Sequence, residues 1–246
     1  MTTFTNENIF VVTGASSGIG EGIALLLNKM GATVIGIGRN QDQLISLKEK
    51  SENPQYLHTE SIDLSEKVDE LPIYLRELSY KYGKLCGLVC SAGIDLPQAL
   101  QGLNLNSGKQ VFDINYFSPV FMAKGFADRR VNAGAGSSIV FIASTAGVSP
   151  DRGQTLYAAS KAALIASSRS ISKELSPRGI RCNCISPAYV ETPMYYKNLK
   201  NIGTNIESYP LGIGKPQDIA NITAFLLSEK ARWITGQNYI LDGGYL

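Results

Sequence analysis

Tyr157 and Lys161 are the two residues of this sequence whose types and spacing best suit proton chemistry near neutral pH. In the stretch YAASK they lie four positions apart, so on a helix both side chains share one face. A lysine ammonium beside a phenol favours the phenolate and lowers the pKa of the tyrosine. The one histidine, His58, lies in a polar stretch outside every motif and is expected at the surface. These five residues alone also fit an exposed helix with a chance Tyr–Lys pair. The surrounding elements must therefore decide between a catalytic pair and a chance one.

The composition is that of an ordinary globular protein. The 246 residues are 44% hydrophobic and 18% charged, with a formal net charge of +2. That charge is too small to favour nucleic acid or an acidic membrane surface as a partner. No apolar run reaches the roughly 18 residues that a membrane span needs. The first residues, MTTFTNENIFVVTG, lack the pattern of a signal peptide, so a cytoplasmic protein is expected.

The four cysteines form two pairs in apolar surroundings. Cys86 and Cys90 flank one apolar run, and Cys182 and Cys184 lie in the alternating stretch IRCNCIS. We interpret all four as small residues packed in strands, with a metal site as the minor alternative. No metal ion is predicted.

Strands and helices alternate along the chain. Strands are predicted at NIFVVTG, ATVIGIG, Tyr56–Glu60, KLCGLVC, SSIVFIAS, IRCNCIS and NYILDGG. Helices are predicted at GIALLLNKM, Asn40–Lys50, Ser65–Tyr82, a stretch ending near Val131, Tyr157–Leu175 and Pro216 to about Ser228. Unbroken apolar runs are typical of parallel strands covered on both faces. The sequence therefore predicts one α/β domain over residues 1–246, with a doubly wound, mostly parallel, seven-stranded sheet flanked by helices on both faces.

The first strand-to-helix junction, TGASSGIG, carries glycines at Gly14, Gly18 and Gly20. A glycine turn lets backbone N–H groups approach a phosphate, and the following helix N-terminus adds a favourable dipole. A glycine-rich turn can also be purely structural. At the first junction of a doubly wound chain, dinucleotide binding is the better interpretation.

Several motifs in order resemble those of the short-chain dehydrogenase/reductase family, over nearly the whole chain. They are TGASSGIG, SAG at Ser91–Gly93, IN at Ile114–Asn115, Ser144 with Tyr157-x-x-x-Lys161 thirteen residues on, SPAYVETPM and LDGG. Two positions depart from the family pattern: Cys90 and Ser91 replace two asparagines, and Pro187-Ala188 replaces Pro-Gly. The resemblance implies a Rossmann-type, NAD(P)-dependent oxidoreductase that acts on a carbonyl/alcohol pair.

The resemblance also assigns catalytic roles to four residues. Tyr157 would be the acid/base that protonates the carbonyl oxygen, with its pKa lowered by Lys161. Lys161 would also bind the nicotinamide ribose, and Ser144 would orient and polarise the substrate oxygen. Asn115 would hold a helix distortion in the proton path. For Ser144 the competing interpretation is a loop hydroxyl that caps local backbone.

The same comparison with the family predicts the cofactor contacts. They are Gly14, Ser16, Ser17, Ile19, Gly20, Arg39, Asp63, Leu64, Ala92, Gly93, Tyr157, Lys161, Val190 and Thr192. For Asp63 a helix N-cap is the competing interpretation. The second strand ends in Gly38-Arg39 instead of a carboxylate, and a guanidinium there can pair with a 2′-phosphate. NADPH is therefore the predicted cofactor, with NADH as the alternative if Arg39 only begins the next helix or stacks on adenine.

The sequence leaves the substrate open. The segment 189–210 is expected to form a lid rich in tyrosine. The leading hypothesis is reduction of a ketone, whether a 3-ketoacyl thioester or another. The stretch YPLGIGKPQDIA resembles one in 3-ketoacyl-acyl-carrier-protein reductases, but it is one residue short and lacks the usual arginine, which weakens the 3-ketoacyl assignment. The alternatives are a sugar or polyol oxidoreductase and a non-catalytic dinucleotide-binding protein. An acyl carrier protein attracted by Arg129 and Arg130 is a weaker partner candidate.

Small residues on the Tyr157–Leu175 helix, among them Ala159 and Ala166, allow close approach of a second helix. Packing against the chain's own sheet is the competing account. In the family this helix and its predecessor pair across a dimer interface, and the C-terminal strand often completes a tetramer. The resemblance therefore implies a homotetramer, with a dimer as the smaller alternative.

Overall fold

A seven-stranded parallel sheet organises the part of the chain that the computed structural model describes, residues 3–202 and 206–246. The strands, in sheet order, are β3 (Leu57–Ser61), β2 (Thr33–Gly38), β1 (Ile9–Thr13), β4 (Leu85–Cys90), β5 (Ser138–Ile142), β6 (Arg181–Pro187) and β7 (Asn238–Leu241). All six neighbouring pairs are parallel, so the predicted doubly wound α/β fold is confirmed.

Helices cover both faces of the sheet. In chain order they are α1 (Gly18–Lys29), α2 (Gln41–Lys50), α3 (Leu71–Tyr82), α4 (Leu105–Phe112), α5 (Ser118–Phe126), α6 (Thr155–Leu175), α7 (Pro193–Ile202) and α8 (Pro216–Leu227). Residues of α1, α2 and α8 belong to one buried apolar cluster, and residues of α3, α5 and α6 belong to another.

Alternate residues of a strand belong to different apolar clusters, because successive side chains of a strand point to opposite faces of the sheet. In β1, Val11 packs in the cluster under α3, α5 and α6, whereas Phe10 and Val12 pack under α1, α2 and α8. In β5, Phe141 and Val140 divide in the same way. Burial on both faces explains why these strands read as unbroken apolar runs.

The strand order determines where a ligand-binding crevice can form. From β1 the chain moves outward to β2 and β3, and then returns to the other side of β1 to form β4. Thr13 at the end of β1 is paired with Cys90 at the end of β4. A crevice opens beyond the carboxyl ends of two strands whose connections run in opposite directions, which is where doubly wound sheets bind ligands.

Two predicted boundaries differ from the structure. The helix expected from Ser65 begins only at Leu71, because Lys67 adopts a left-handed conformation with φ 48° and Pro72 belongs in a first helical turn. Within the expected lid, the sequence analysis did not anticipate α7. Residues 203–205 of that lid lie outside the described residues.

His58 and the cysteines are placed in strands. His58 lies in β3, half-buried, with its ring centroid 4.6 Å from that of Tyr82, so the expectation of a surface histidine was wrong. The predicted placement of the cysteines is confirmed: Cys90, Cys182 and Cys184 are buried in β4 and β6, and Cys86 is half-buried.

The described residues contain neither a membrane-spanning helix nor a cluster of metal ligands. None of their helices has both the length and the apolarity to cross a membrane. Their His, Cys, Asp and Glu side chains form no group of three or more placed to hold a metal ion.

Candidate active site

A cleft at the carboxyl ends of β1 and β4 begins with the glycine turn. Gly14 and Gly18 have φ values of 68° and 59°, a region that side chains other than glycine rarely adopt. A Cβ at Gly14 would lie 2.8 Å from the backbone N of Ala92, and a Cβ at Gly20 would collide with the carbonyl of Gly14. The glycines therefore let three backbone segments meet at the mouth of the cleft.

The N-terminus of α1 opens into the same cleft. Its N-cap residue, Ser17, makes no side-chain hydrogen bond to the first turn. The first backbone N–H groups of a helix have no partner within the helix and attract anions. A backbone cradle without Cβ atoms, in front of an uncapped helix N-terminus, fits the pyrophosphate of a dinucleotide.

Most of the residues predicted to bind the cofactor line this cleft. They are Gly14, Ser16, Ser17, Ile19, Gly20, Arg39, Leu64, Ala92, Gly93, Tyr157, Lys161 and Thr192. Asp63 and Val190 lie outside its lining; Val190 lines the adjoining cavity instead. Thr192 also packs against the glycine turn, since a Cβ at Gly18 would lie 3.0 Å from its Cγ2.

Asp63 interacts with Arg39 at the edge of the cleft. The Arg39 Nη1 atom lies 3.4 Å from Asp63 Oδ2, and the Arg39 side chain is 63% exposed. Asp63 Oδ1 accepts hydrogen bonds from the backbone N and the Oγ of Ser65. Burial opposes ionisation, but the bonds from Ser65 and the Arg39 charge outweigh it and hold the pKa of Asp63 below its ordinary value. No described helix begins here, so the N-cap interpretation is wrong.

Asn115 joins the loop after β4 to α6. It lies fully buried in a π-helical turn, Asp113–Phe117, which interrupts the helix between α4 and α5. Its Oδ1 accepts a hydrogen bond from the N of Ile94 at 2.8 Å, and its Nδ2 donates to the O of Ile94 at 2.9 Å. Nδ2 also lies 3.1 Å from Ser160 Oγ, which donates to the carbonyl of Tyr157. The structure thus contains the helix distortion that the family resemblance implied.

Lys161 places a buried amino group between the cleft and the sheet. Its Nζ donates to the carbonyl oxygen of Ile142, at the end of β5, over 2.9 Å. The residue is only 4% exposed, and burial lowers the pKa of its amine to about 8. The close approach of Gly93, whose Cβ would lie 3.5 Å from Nζ, helps to enclose it.

Tyr157 lines both the cleft and the adjoining cavity, and its ring centroid lies 5.7 Å from Lys161 Nζ. Burial raises the pKa of Tyr157 well above its ordinary value, and the Asp95 charge adds to this, against a hydrogen bond with Ser144 that lowers it. The expected lowering of the tyrosine pKa by Lys161 is therefore not found in this structure. At neutral pH the phenol keeps its proton.

Ser144 serves two purposes at the end of β5. Its Oγ accepts a hydrogen bond from the backbone N of Ala146 at 3.1 Å and so caps the short turn Thr145–Gly147. The same side chain interacts with Tyr157 and lines the adjoining cavity. The local-cap interpretation and the substrate-orienting role are thus compatible.

Beyond Tyr157 the adjoining cavity is lined mainly by aromatic and polar side chains. Tyr189 lies 5.7 Å from Tyr195 and 5.8 Å from Tyr209, and Tyr209 stacks on Tyr245 at 4.7 Å between ring centroids. The other polar residues of the lining are Asp95, Ser144, Thr145, Ser149, Asp151, Gln154, Tyr157, Thr192 and Asn198. Of the lid tyrosines, Tyr196 is 57% exposed and does not belong to the lining.

Asp95 is one of the lining residues that the sequence analysis missed. Its Oδ2 accepts a hydrogen bond from Asn198 Nδ2 in α7 at 3.2 Å, and burial raises the pKa of its carboxyl to about 6. Its position was a usable signal: it follows the SAG motif at the carboxyl end of β4, where doubly wound sheets bind ligands.

Comparisons with known proteins agree with this geometry. A family profile described as enoyl-(acyl carrier protein) reductase matches residues 14–246. The chain is 36% identical over 238 residues to a 3-oxoacyl-[acyl-carrier-protein] reductase of Rickettsia conorii, covering 96% of this chain and 95% of that protein. It is 33% identical over 250 residues to an L-xylulose reductase of Caenorhabditis elegans, covering 98% and 96%.

Among solved structures, a short-chain dehydrogenase/reductase of Brucella melitensis, described as a glucose/ribitol dehydrogenase, superposes with a TM-score of 0.92. The two share 29% identity over 100% of this chain and 99% of the other. The chain belongs to the short-chain dehydrogenase/reductase family. It is an NAD(P)-dependent oxidoreductase that acts on a carbonyl/alcohol pair, rather than a non-catalytic dinucleotide-binding protein.

Proposed function

We propose that this protein reduces a ketone to a secondary alcohol with NADPH, with Tyr157 as the proton donor. The observation that carries the proposal is the position of Tyr157, whose side chain lines both the dinucleotide cleft and the adjoining cavity. When bound, the reduced nicotinamide would supply a hydride to the carbonyl carbon. The proton donor and the polar groups that would orient the ketone belong to the chain itself.

The proton transfer follows from the protonated state of Tyr157. Because burial keeps the phenol protonated, it can give its proton to the carbonyl oxygen as that oxygen gains charge. Ser144, which lines the same cavity as Tyr157, can hold the same oxygen. The charge of Lys161 can then stabilise the phenolate that remains. Asn115 ties the Tyr157 carbonyl, through Ser160, to the loop after β4 and so fixes the position of the donor.

Replacement of Tyr157 by phenylalanine tests this mechanism. Tyr157→Phe keeps the ring but removes the proton, so we expect carbonyl reduction to fall by about 10²–10⁴-fold while NADPH still binds. Purified protein would be assayed with NADPH against simple ketones, acetoacetyl thioesters and keto-sugars, by the loss of reduced-nicotinamide absorbance. Tyr196→Phe, on the exposed side of α7, is the matched control. Near-native turnover of Tyr157→Phe would exclude Tyr157 as the donor.

The preference for NADPH rests on the end of β2. Gly38 and Arg39 line the cleft where a carboxylate would otherwise bind the ribose hydroxyls of NAD. The largely exposed guanidinium of Arg39 is oriented by Asp63 and retains donors that can pair with a 2′-phosphate.

Removal of Arg39 tests the cofactor preference. A charge-assisted hydrogen bond contributes about 1.5–3 kcal/mol, so we expect NADPH to bind at least about tenfold more tightly than NADH. Arg39→Ala should remove most of that difference, measured by quenching of protein fluorescence, whereas the exposed Arg232→Ala should not. An aspartate at position 38 is a poorer test, because its Cβ would lie 2.9 Å from Ser16 Cβ. Equal affinities of the unmodified protein for both cofactors would refute the preference.

The names of the relatives suggest two substrate classes for this protein. Proteins named 3-oxoacyl-[acyl-carrier-protein] reductase suggest a 3-ketoacyl thioester, and the L-xylulose reductase suggests a keto-sugar. In this chain the stretch YPLGIGKPQDIA is bonded to the first residue of the lid segment, since the N of Gly214 donates to the carbonyl of Tyr189. Arg129 and Arg130 follow α5 and lie next to the start of β4. This is the amino end of the strand, whereas the cleft lies at the carboxyl end. Arg130 also forms an ion pair with Asp128 at 2.7 Å. Within one chain, these arginines do not adjoin the cavity.

A further inference from the structure

The cavity beside Tyr157 contains two polar atoms for which the described residues provide no hydrogen-bond partner. They are Oδ1 of Asp95 and the hydroxyl of Tyr189, both shielded from solvent. A buried polar atom left without a partner costs about 1–3 kcal/mol. Both residues line the same cavity as Ser144 and Tyr157. Unpaired polar atoms on residues that line a reaction site are suited to pair with groups of a bound substrate.

The charges of the cavity decide which substrate groups these are. Its described lining carries two carboxylates, Asp95 and Asp151, and no lysine or arginine. Lys161, close enough to act on the charge of Asp95, lines the neighbouring cleft. Carboxylates repel an anionic substrate, and the Lys161 ammonium disfavours a second cation nearby. A neutral substrate is therefore favoured.

The hydrogen-bonding capacity of the same residues narrows the choice. A carboxylate only accepts hydrogen bonds, whereas a phenol both donates and accepts. A substrate hydroxyl also does both, so it can donate to Asp95 and accept from Tyr189. An acyl chain offers neither group and would leave the carboxylate unpaired. The tyrosine rings around the cavity combine an apolar face with a polar tip, which matches the alternating C–H and O–H groups of a polyol.

We propose that the substrate is a short polyhydroxylated ketone of the keto-sugar class, and that Asp95 and Tyr189 select it by hydrogen bonding to its hydroxyl groups. This inference rests on the proposed function and specifies its substrate. Asn198 is assigned a supporting role, because its amide fixes one oxygen of Asp95 and leaves the other for the substrate.

The test compares two ketones of equal chain length, a ketopentose and a ketone without hydroxyls, with NADPH. A site built to bind hydroxyls rejects an analogue that lacks them, so we expect kcat/KM for the ketopentose to be higher by about a hundredfold or more. Asp95→Leu should reduce that ratio about ten- to hundredfold, and Tyr189→Phe about three- to tenfold. The exposed Tyr196→Phe should leave the ratio within about twofold. Asp95→Leu removes a buried carboxylate but leaves the Asn198 amide without its hydrogen bond, so its melting temperature would be measured beside the kinetics and should show a cooperatively folded protein.

A second measurement separates failure of the inference from failure of the proposed function. The ketopentose is titrated calorimetrically into protein saturated with NADP⁺, where no reduction can occur. We expect binding that weakens about tenfold or more in Asp95→Leu. Ketone reduction without a preference for the ketopentose, or with a preference for an amino ketone or an acetoacetyl thioester, would overturn the inference and leave the proposed function intact. Reduction of no carbonyl at all would overturn the proposed function, and absence of ketopentose binding would overturn the inference.

Discussion

Lys161 holds a charge in the protein interior at a cost to stability. Its pKa is about 8 in the folded protein, compared with the ordinary value of 10.5, because burial disfavours the ammonium. Between these values the unfolded chain binds a proton that the folded protein has lost. The contribution of Lys161 to the free energy of unfolding therefore rises as the pH increases from about 8 to 10.5. At neutral pH the buried charge of Lys161 therefore lowers stability, and its proposed role in the reaction would account for its presence.

Replacement of Lys161 by methionine should separate these two roles. Lys161→Met removes a buried charge but keeps the aliphatic stem, so we expect the free energy of unfolding at pH 7 to rise by about 1 kcal/mol or more. Carbonyl reduction should fall by orders of magnitude. Urea denaturation would be measured at about pH 7 and about pH 9.5. The increase in the free energy of unfolding of Lys161→Met over the unmodified protein should be smaller at the higher pH, because the cost of burying the Lys161 charge is smaller there. Lys173→Met, exposed on the same helix, should show no such pH-dependent gain.

At the scale of elements, the π-helical turn at Asp113–Phe117 is held by one side chain. Asn115→Leu would remove the bonds to both backbone groups of Ile94 and to Ser160. Because the groups left behind are partly buried, we expect the free energy of unfolding to fall by about 2–4 kcal/mol. Carbonyl reduction should fall with it, since the same bonds position Tyr157.

A surface asparagine gives the matched control for this prediction. Asn104 caps α4 through a bond from the N of Ser107, so Asn104→Ala should cost about 1 kcal/mol and leave carbonyl reduction nearly unchanged. Urea denaturation and steady-state kinetics of both variants would check the pair. Equal stability losses, or full activity in Asn115→Leu, would contradict the role of the π-helical turn.

The elements also show which features the sequence could predict. The strands β1, β2 and β5 are buried on both faces and leave apolar runs in the sequence, whereas the partly buried β3 and β7 were predicted from their place in the alternation of strands and helices. The start of α3 could not be predicted, because Lys67 adopts a left-handed backbone conformation that is rare for lysine. Asp95 was missed for another reason: its importance depends on burial and on the contact with Asn198, more than a hundred positions away in sequence. The pKa of Tyr157 likewise depends on packing, which a four-residue spacing to Lys161 does not reveal.

At the scale of the whole molecule, α6 keeps a face that this chain does not cover. Ala159, Ala162 and Ala166 are exposed, whereas Ala158, Leu164 and Ile165 pack inward. The packing of α6 on its own sheet therefore accounts for only part of its small residues. Large apolar side chains are exposed elsewhere, with Phe117 at 42% and Trp233 at 91%. Such single exposed side chains are normal on a protein surface, so the outward alanine face of α6 is the feature that suggests an interface.

We expect the protein to form a homotetramer, with a dimer as the smaller alternative, and α6 to pair with its symmetry mate through the alanine face. Ala166→Arg should be tolerated within one chain, because the position faces outward, but should block close approach of a second helix. Light scattering at micromolar concentration should show the unmodified protein as a tetramer and Ala166→Arg as a smaller species. Gln43→Arg, exposed on α2, should keep the tetramer. A monomeric unmodified protein would refute the assembly, and an unchanged mass of Ala166→Arg would exclude α6 from the interface.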